Sequence, residues 1–330
     1  MDPLTHSLFG LTLARTGLNR LTPSAAPIAL LASNLADLDS VFQPWGDIRH
    51  LVWHRHFTHS FAFTPVIAFL AVAIVHWLLR RPVRWRGAMI LAWACSVGHV
   101  ALDLLTIWKV RAGLPFSGNA ISLQSQWMID PVLLILLGLA LAIPFLSNLV
   151  SGEIGARKGS GQATAVVCLV LVAGWFLLRA QLHQTVVEEL RSRVYEGAVP
   201  TRVEAWPTMH PLRFTGYAET EKAIYVLPVS LLEFVDPEAA QAYFKPVYSA
   251  ESGRAARMAG LDEKVQIFLS WAQWPRWQVF RYEGPEPWVV IVEELGAENN
   301  QTRPRVIVKL DANYRILSST YEAARSAKSL

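Results

Sequence analysis

Gly87–Thr106 reads GAMILAWACSVGHVALDLLT, an apolar run with His99 and Asp103 near one end. About 20 such residues are enough for a helix to cross the hydrocarbon core of a bilayer. Imidazole and carboxylate groups are costly there and normally find one another or a cation. On a helix, their four-residue spacing puts both side chains on nearly the same face, one turn apart. Such a pair can share a metal ion. One His-xxx-Asp arises by chance in many helices, so the weight falls on what the rest of the chain supplies.

Three further runs have the length and apolarity of membrane helices: Phe61–Leu79, Pro131–Val150 and Ala163–Leu182. Ser24–Val41 is a weaker fifth, spoiled at its end by Asp37 and Asp39. Leu4–Ala14 is too short to span alone and reads as a half-helix or tucked segment. Of the 330 residues, 52% are apolar and only 17% charged, against about 25% charged in a soluble domain. The polar residues concentrate after position 180. The expected architecture is therefore a mainly α-helical multi-pass membrane bundle over 1–183 and a soluble α+β domain over 184–330. In the second part, runs rich in β-branched and aromatic residues recur at Ala223–Val229, Arg276–Tyr282, Trp288–Glu293, Val306–Leu310 and Tyr314–Thr320. Turn residues such as Asp311-Ala312-Asn313 separate them. Pro237–Phe244 and Ala250–Met258 read as short helices beside an antiparallel sheet. The tryptophans at 271, 274 and 277 form either a binding surface or, more simply, aromatic core.

The net charge of +4 comes without a basic, aromatic-interleaved tract, so nucleic acid is not an expected partner. Cys95 and Cys168 lie inside apolar runs and read as small hydrophobic filler. No charged n-region opens the chain, so the spans themselves are expected to direct insertion.

Lys and Arg placement orients the spans. Arg80, Arg81, Arg84 and Arg86 fill one short link, Arg157 and Lys158 another, and Arg15 and Arg20 follow the first apolar stretch. The positive-inside tendency makes all three cytoplasmic. Alternation then puts the following groups at the outer face: His6, Asp37 and Asp39, His54 to His59, His99 with Asp103, and Asp130. The charge bias was counted without these residues, so their convergence is partly independent of it.

Imidazole mixed with carboxylate suits Zn, Mn, Fe or Ni, whereas Mg or Ca sites use more oxygen. His59, His99 and Asp103 are the expected direct ligands. His6, His54, Asp37 and Asp39 supply the remainder or orient the ligands. Asp37 and Asp39 diverge on a regular helix, so one of them ligating and the other orienting a histidine is one arrangement. The surplus of donors allows one ion or two. Arg55, between two candidate ligands, suits an anionic transition state. Asp39 or Asp130 is the candidate general base, although Asp130-Pro131 reads equally as a helix cap. His56 either faces water or adds a ligand, and His76 reads as packed or interfacial.

The ordered series Asp2-Pro3-Leu4-Thr5-His6-Ser7, Asp37-Leu38-Asp39, His54-Arg55 with Thr58-His59-Ser60, Gly98-His99 with Leu102-Asp103, Leu114-Pro115-Phe116-Ser117 and Asp130-Pro131 resembles the YdjM-type family. The resemblance is firm over residues 1–150 and looser beyond, where Pro207–Leu212 continues it. It implies a bacterial inner-membrane protein with metal-dependent hydrolysis as the expected activity. It also implies a relation to helical zinc-dependent phospholipase C and P1-type nuclease folds. His56 departs from the family, where a small residue is usual.

Together these readings predict a metal-dependent hydrolase at the outer membrane face, with an extracytoplasmic C-terminal domain. Zinc is the expected ion, and a lipid or phosphoester the expected substrate. A metal there would bring the pKa of water down toward about 7. The rivals are a non-catalytic membrane protein whose metal site is structural or transport-related, and a working sheet domain anchored by the bundle. A structural site is closed by four protein ligands, while a catalytic one keeps a position open.

Overall fold

The computed structural model describes the chain apart from Gly46, Asp47, Lys158, Pro285, residues 297–300, Ala324 and residues 327–330. Lys158, one of the charges used to orient the second basic link, thus lies outside the described residues. The chain divides into two compact units. The first comprises Met1–Asp39, Arg55–Ala218 and Val226–Ala240; the second comprises Ser40–His54, Glu219–Tyr225 and Gln241–Leu330.

The first unit opens with α1 (Pro3–Arg15). Asp2 caps it by accepting from the Leu4 and Thr5 amides, and Pro3 stands in the first turn. The chain turns back into α2 (Ala25–Ala32). Here the structure departs from the fifth run, since α2 ends at Ala32 and a 3-10 stretch, Leu35–Trp45, follows. Ser33 and Asn34 stop the helix; the Asn34 side chain donates to the Leu30 carbonyl at 2.8 Å. After α3 (His50–Trp53), which belongs to the second unit, come α4 (Thr64–Ala73), α5 (Trp85–Leu104), α6 (Pro131–Glu153) and α7 (Gln162–Ser192). Among the described residues, Phe61–Leu78, Trp85–Leu104, Pro131–Glu153 and Gln162–Ser192 are long and apolar enough to cross a membrane. These are the four runs read from the sequence. The outward faces of α6 and α7 leave Ile135, Leu139, Val170 and Leu177 exposed, which suits a lipid surround better than water.

Small residues hold α1, α2, α4 and α5 together. Ala29, Ala32, Ala68, Ala71, Ala88, Ala92 and Cys95 share one buried core. Such residues let helix backbones approach closely; at Gly10, a side chain would collide with Ser33 of the α2 end. The basic links gather at one end of the unit. The Arg84 amide donates to Thr22 Oγ1 at 3.2 Å, the Ser24 hydroxyl to the Pro82 carbonyl at 2.6 Å, and Gly17 lies against Gln162. His99 and Asp103 stand at the opposite end of α5.

α7 runs past the expected boundary at 183/184, its last turns burying Val186 and Leu190. It leads into β1 (Arg202–Pro207), β2 (Arg213–Glu219), β3 (Ala223–Ser230) and β4 (Gln241–Phe244), which form a sheet in that order. Pro237–Phe244, expected as a helix, is a 3-10 turn at Pro237–Ala239 followed by β4. Pro237 opens the turn, and alternation takes over after it.

In the second unit, α8 (Ala250–Ala259) and α9 (Glu263–Trp271) precede β5 (Pro275–Arg281), β6 (Trp288–Glu294), β7 (Gln301–Thr302), β8 (Arg305–Leu310), β9 (Ile316–Glu322) and β10 (Arg325–Ser326). The sheet β5-β6-β8-β9 is antiparallel, and β7 pairs with β10. Alternate residues of β6 and β8 (Val290, Val292, Val306, Val308) pack on Ala255, Val265 and Phe268 of the helices. Trp274 is buried, and Trp271 and Trp277 pack partly buried against that core. The aromatic-core reading is the one that describes them.

Candidate metal centre

The structure brings Asp37, His59, His99 and Asp103 together, with one donor atom from each within 4.8 Å of all the others. Asp37 comes from the 3-10 stretch after α2. His59 ends a 3-10 turn, Phe57–His59, ahead of α4. His99 and Asp103 lie on α5, one turn apart. His59, His99 and Asp103 are fully buried, and Asp37 is partly exposed at 20%.

The hydrogen bonds at the far side of each ring fix what the near side offers. His99 Nδ1 faces the Ser33 carbonyl at 2.8 Å. A carbonyl only accepts, so Nδ1 donates. His59 Nδ1 faces Thr58 Oγ1 at 3.0 Å, and that hydroxyl gives its own proton to Asp39 Oδ2 at 2.6 Å. His59 Nδ1 therefore donates as well. In the neutral rings, both Nε2 atoms are bare lone pairs, yet they stand 3.2 Å apart. His59 Nε2 lies 3.2 Å from Asp37 Oδ1 and 3.1 Å from Asp103 Oδ2. His99 Nε2 lies 3.7 and 3.6 Å from the same two oxygens. Four electron-rich atoms facing one another need positive charge between them, from a proton on a ring or from a metal ion.

The size of the gap fits a transition metal. Tetrahedral zinc with donors at about 2.0–2.2 Å has donor–donor edges of roughly 3.3–3.6 Å. The five edges given above run from 3.1 to 3.7 Å. A two-nitrogen, two-oxygen set matches zinc chemistry better than an all-oxygen calcium or magnesium site. The second-layer contacts, Ser33 on His99 and Thr58 with Asp39 on His59, hold the rings in the ligating tautomer.

Electrostatics agree. Burial alone would lower the His59 pKa, but the Asp103, Asp37 and Asp39 carboxylates overturn that and raise it to about 10. Burial alone would raise the Asp37 pKa, whereas the hydrogen bond with His59 and the charge of His99 bring it to about 2. The site thus demands positive charge, from a proton or from a metal ion.

The remaining expected residues fall into distinct places. His6 is buried beside the group. Its ring lies 4.0 Å from that of His99 between centroids, and its Nε2 is 3.3 Å from Asp103 Oδ1. Neither of its ring nitrogens makes a hydrogen bond among the described residues. Arg55 is also buried, with Nη2 4.0 Å from Asp103 Oδ1 and Nη1 on Thr106 Oγ1 at 3.3 Å. The Met1 amino group contacts the same Asp103 oxygen. Arg55 has a φ of 61°, a left-handed backbone that costs a non-glycine residue of order 1–3 kcal/mol. Its amide is held by Asp39 Oδ2 at 3.1 Å. Asp39 is thus an orienting residue for His59 and Arg55, one of the two roles open to the Asp37/Asp39 pair.

Two expected residues stand apart from the four-donor group. Asp130 is the cap of α6: Oδ1 accepts from the Val132 and Leu133 amides, and Oδ2 accepts from Trp175 Nε1 at 3.0 Å. Both oxygens are engaged, as the cap reading of Asp130-Pro131 has it. His54 is not brought into the donor group and falls in the second unit; the left-handed turn at Arg55 breaks any regular helix that would stack it with His59. His56 also stays outside the group, edge-on to Phe57 at 4.5 Å. His76 packs against Trp77 and Trp85 at the other end of α4, as its apolar surroundings suggested. The Ser33 carbonyl and the Thr58 relay were not read from the sequence. Backbone carbonyls leave no sequence signal, and Thr58 stands out only as a neighbour of His59 in Thr58-His59-Ser60.

Apolar helices of this length, joined to a buried group of imidazoles and carboxylates, define a class: membrane proteins with a candidate metal centre near one end of the helices. Residues 1–183 match the YdjM inner membrane protein family, and the chain belongs to it. No curated protein and no solved structure matches the chain.

Proposed function

We propose that this protein is a multi-pass, metal-dependent hydrolase of the inner membrane, its centre at the outer face, acting on a phosphoester or ester of a lipid or lipid-linked molecule. Asp37, His59, His99 and Asp103 would hold the ion, and zinc suits them best. When bound, such an ion supplies Lewis acidity, acidifying water and polarising a phosphoryl or acyl oxygen. Asp39 holds the His59 ring and the Arg55 backbone in place. Arg55 offers a fixed positive charge to an anion beside Asp103. Asp37, the least buried member of the group, offers substrate an approach.

The observation that carries a catalytic reading is the surplus of buried polar groups. A structural ion closed by four ligands has no use for a strained, buried Arg55, or for a buried His6 whose Nε2 reaches Asp103 Oδ1 while its Nδ1 makes no hydrogen bond among the described residues. Strain and unsatisfied groups of this kind cluster at working sites. The lipid preference rests on neighbours of the site residues: Leu4, Leu38, Phe57 and Phe61 are all more than 40% exposed. An outer position for the centre and for the C-terminal domain follows from the basic links at the opposite end of the bundle.

The second reading, a structural ion, is favoured by four protein donors, the number that closes a structural zinc site. Turnover separates the two. The metal-loaded protein in detergent is given phosphodiester and carboxylic ester substrates, alongside Arg55→Gln. Hydrolysis by the wild type, falling about 100- to 1,000-fold in Arg55→Gln at unchanged metal content, is expected. Bound metal with no hydrolysis of any substrate, and a melting temperature that collapses on metal removal, would assign the ion a structural role.

A further inference from the structure

A second feature lies away from the metal centre. α1, α2 and α6 enclose a groove of about 480 Å³, with apolar walls from Leu11, Ala14, Gly138, Leu141 and Phe145. That volume lies within the usual range for a small-molecule site, about 300–1,000 Å³. Gly138 borders open space: a Cβ there would meet nothing within 4 Å. Phe145, at its rim, is 66% exposed.

Arg15 and Asn19 also line the groove. Arg15 is half-buried at the last turn of α1. It spends one N–H on the Leu141 carbonyl at 3.2 Å, next to the turn that Pro144 weakens by lacking an amide proton. A guanidinium has five N–H donors. Among the described residues, no carboxylate pairs with this one. A cation placed between apolar helices without a counter-charge is costly and calls for an anion. Arg20 and the Arg80–Arg86 link lie at the same end of the unit, since Thr22 bonds the Arg84 amide. The charge therefore favours an anionic partner, and the walls favour a hydrocarbon one.

We infer that this groove binds one anionic phospholipid, its phosphate on Arg15 and Asn19 and an acyl chain along Gly138 and Leu141. The lipid is not the hydrolytic substrate. Arg15 lies nine residues beyond His6 on α1, about 14 Å along the helix axis. The site wedges the α1–α2 hairpin, which carries His6 and Ser33, against α6.

Native mass spectrometry of the full-length, delipidated protein in detergent tests this. Dioleoyl-phosphatidylglycerol and dioleoyl-phosphatidylcholine are titrated in parallel, and bound metal is measured in every sample. The wild type is expected to retain phosphatidylglycerol at least tenfold more tightly than phosphatidylcholine. Arg15→Gln should erase the preference, and Gly138→Phe, which fills the groove, should lower retention of both lipids. Gly138→Ala should behave as wild type. Unchanged metal content would show that the variants fold and that the two sites are separate. Equal retention of the two lipids by the wild type would overturn the proposal. So would phosphatidylglycerol binding unmoved in Arg15→Gln and Gly138→Phe, or its full displacement by inorganic phosphate alone, which would mark a simple anion site.

Discussion

His59 meets three carboxylates, and its two nitrogens do different work. Nδ1 is tied through Thr58 to Asp39, and Nε2 faces Asp37, Asp103 and His99. A proton and a metal ion would compete for Nε2. In the metal-free protein, the raised pKa means that His59 contributes stability fully below its unfolded value of about 6.5. That contribution is lost as pH rises through about 10. The depressed pKa of Asp37 contributes above 3.8 and is lost as pH falls through about 2. Metal binding displaces the His59 proton, so apparent affinity should rise about tenfold per pH unit between 7 and 9. Competition with a chelator across that range checks this; a flat profile would mean that His59 is not a ligand. Asp39→Asn, which leaves the four donors intact, should weaken metal binding about 10- to 100-fold. Equal affinity in this variant would remove the orienting role of Asp39.

At the scale of elements, the centre depends on how closely α1, α2 and α5 approach. The end of α2 carries the carbonyl that fixes His99, and Gly10 lets α1 lie against it. Gly10→Leu should force α1 and α2 apart, costing about 1–3 kcal/mol of stability and most of the bound metal. Thermal melting and elemental analysis of this variant check both parts; full metal retention would show that the helix spacing is irrelevant to the site. The four long apolar runs were legible because length and hydropathy leave no soluble alternative for them. The end of α2 was not, because Ser33 and Asn34 stop a helix by local hydrogen bonds that an apolar average does not register. The grouping of His59, His99 and Asp103 was readable from spacing and alternation of the spans. The place of His54 outside the group was not, since spacing alone does not say how the entry loop before His59 runs. The cap role of Asp130 was one of two readings open in Asp130-Pro131, and Trp175, which engages its second oxygen, lies 45 residues away in the chain. In the C-terminal part, strands with β-branched residues were readable. β1 and β2 were missed because they mix charges, glycine and proline into the alternation.

At the scale of the whole molecule, every basic link is expected on one side of the membrane and the candidate metal centre toward the other. Thiol labelling of single cysteines in intact cells checks it. Ala120→Cys should react from outside, and Val83→Cys only after permeabilisation; the reverse pattern would place the centre at the cytoplasmic face. The central claim, however, is that distant segments meet around one cation. Elemental analysis of the purified protein tests it most directly, with His99→Ala plus Asp103→Ala as the comparison. A divalent transition metal, one ion per chain at the four-donor site, is expected in the wild type, and its loss in the double variant. A wild-type protein without metal after loading, or equal metal in both proteins, would contradict it.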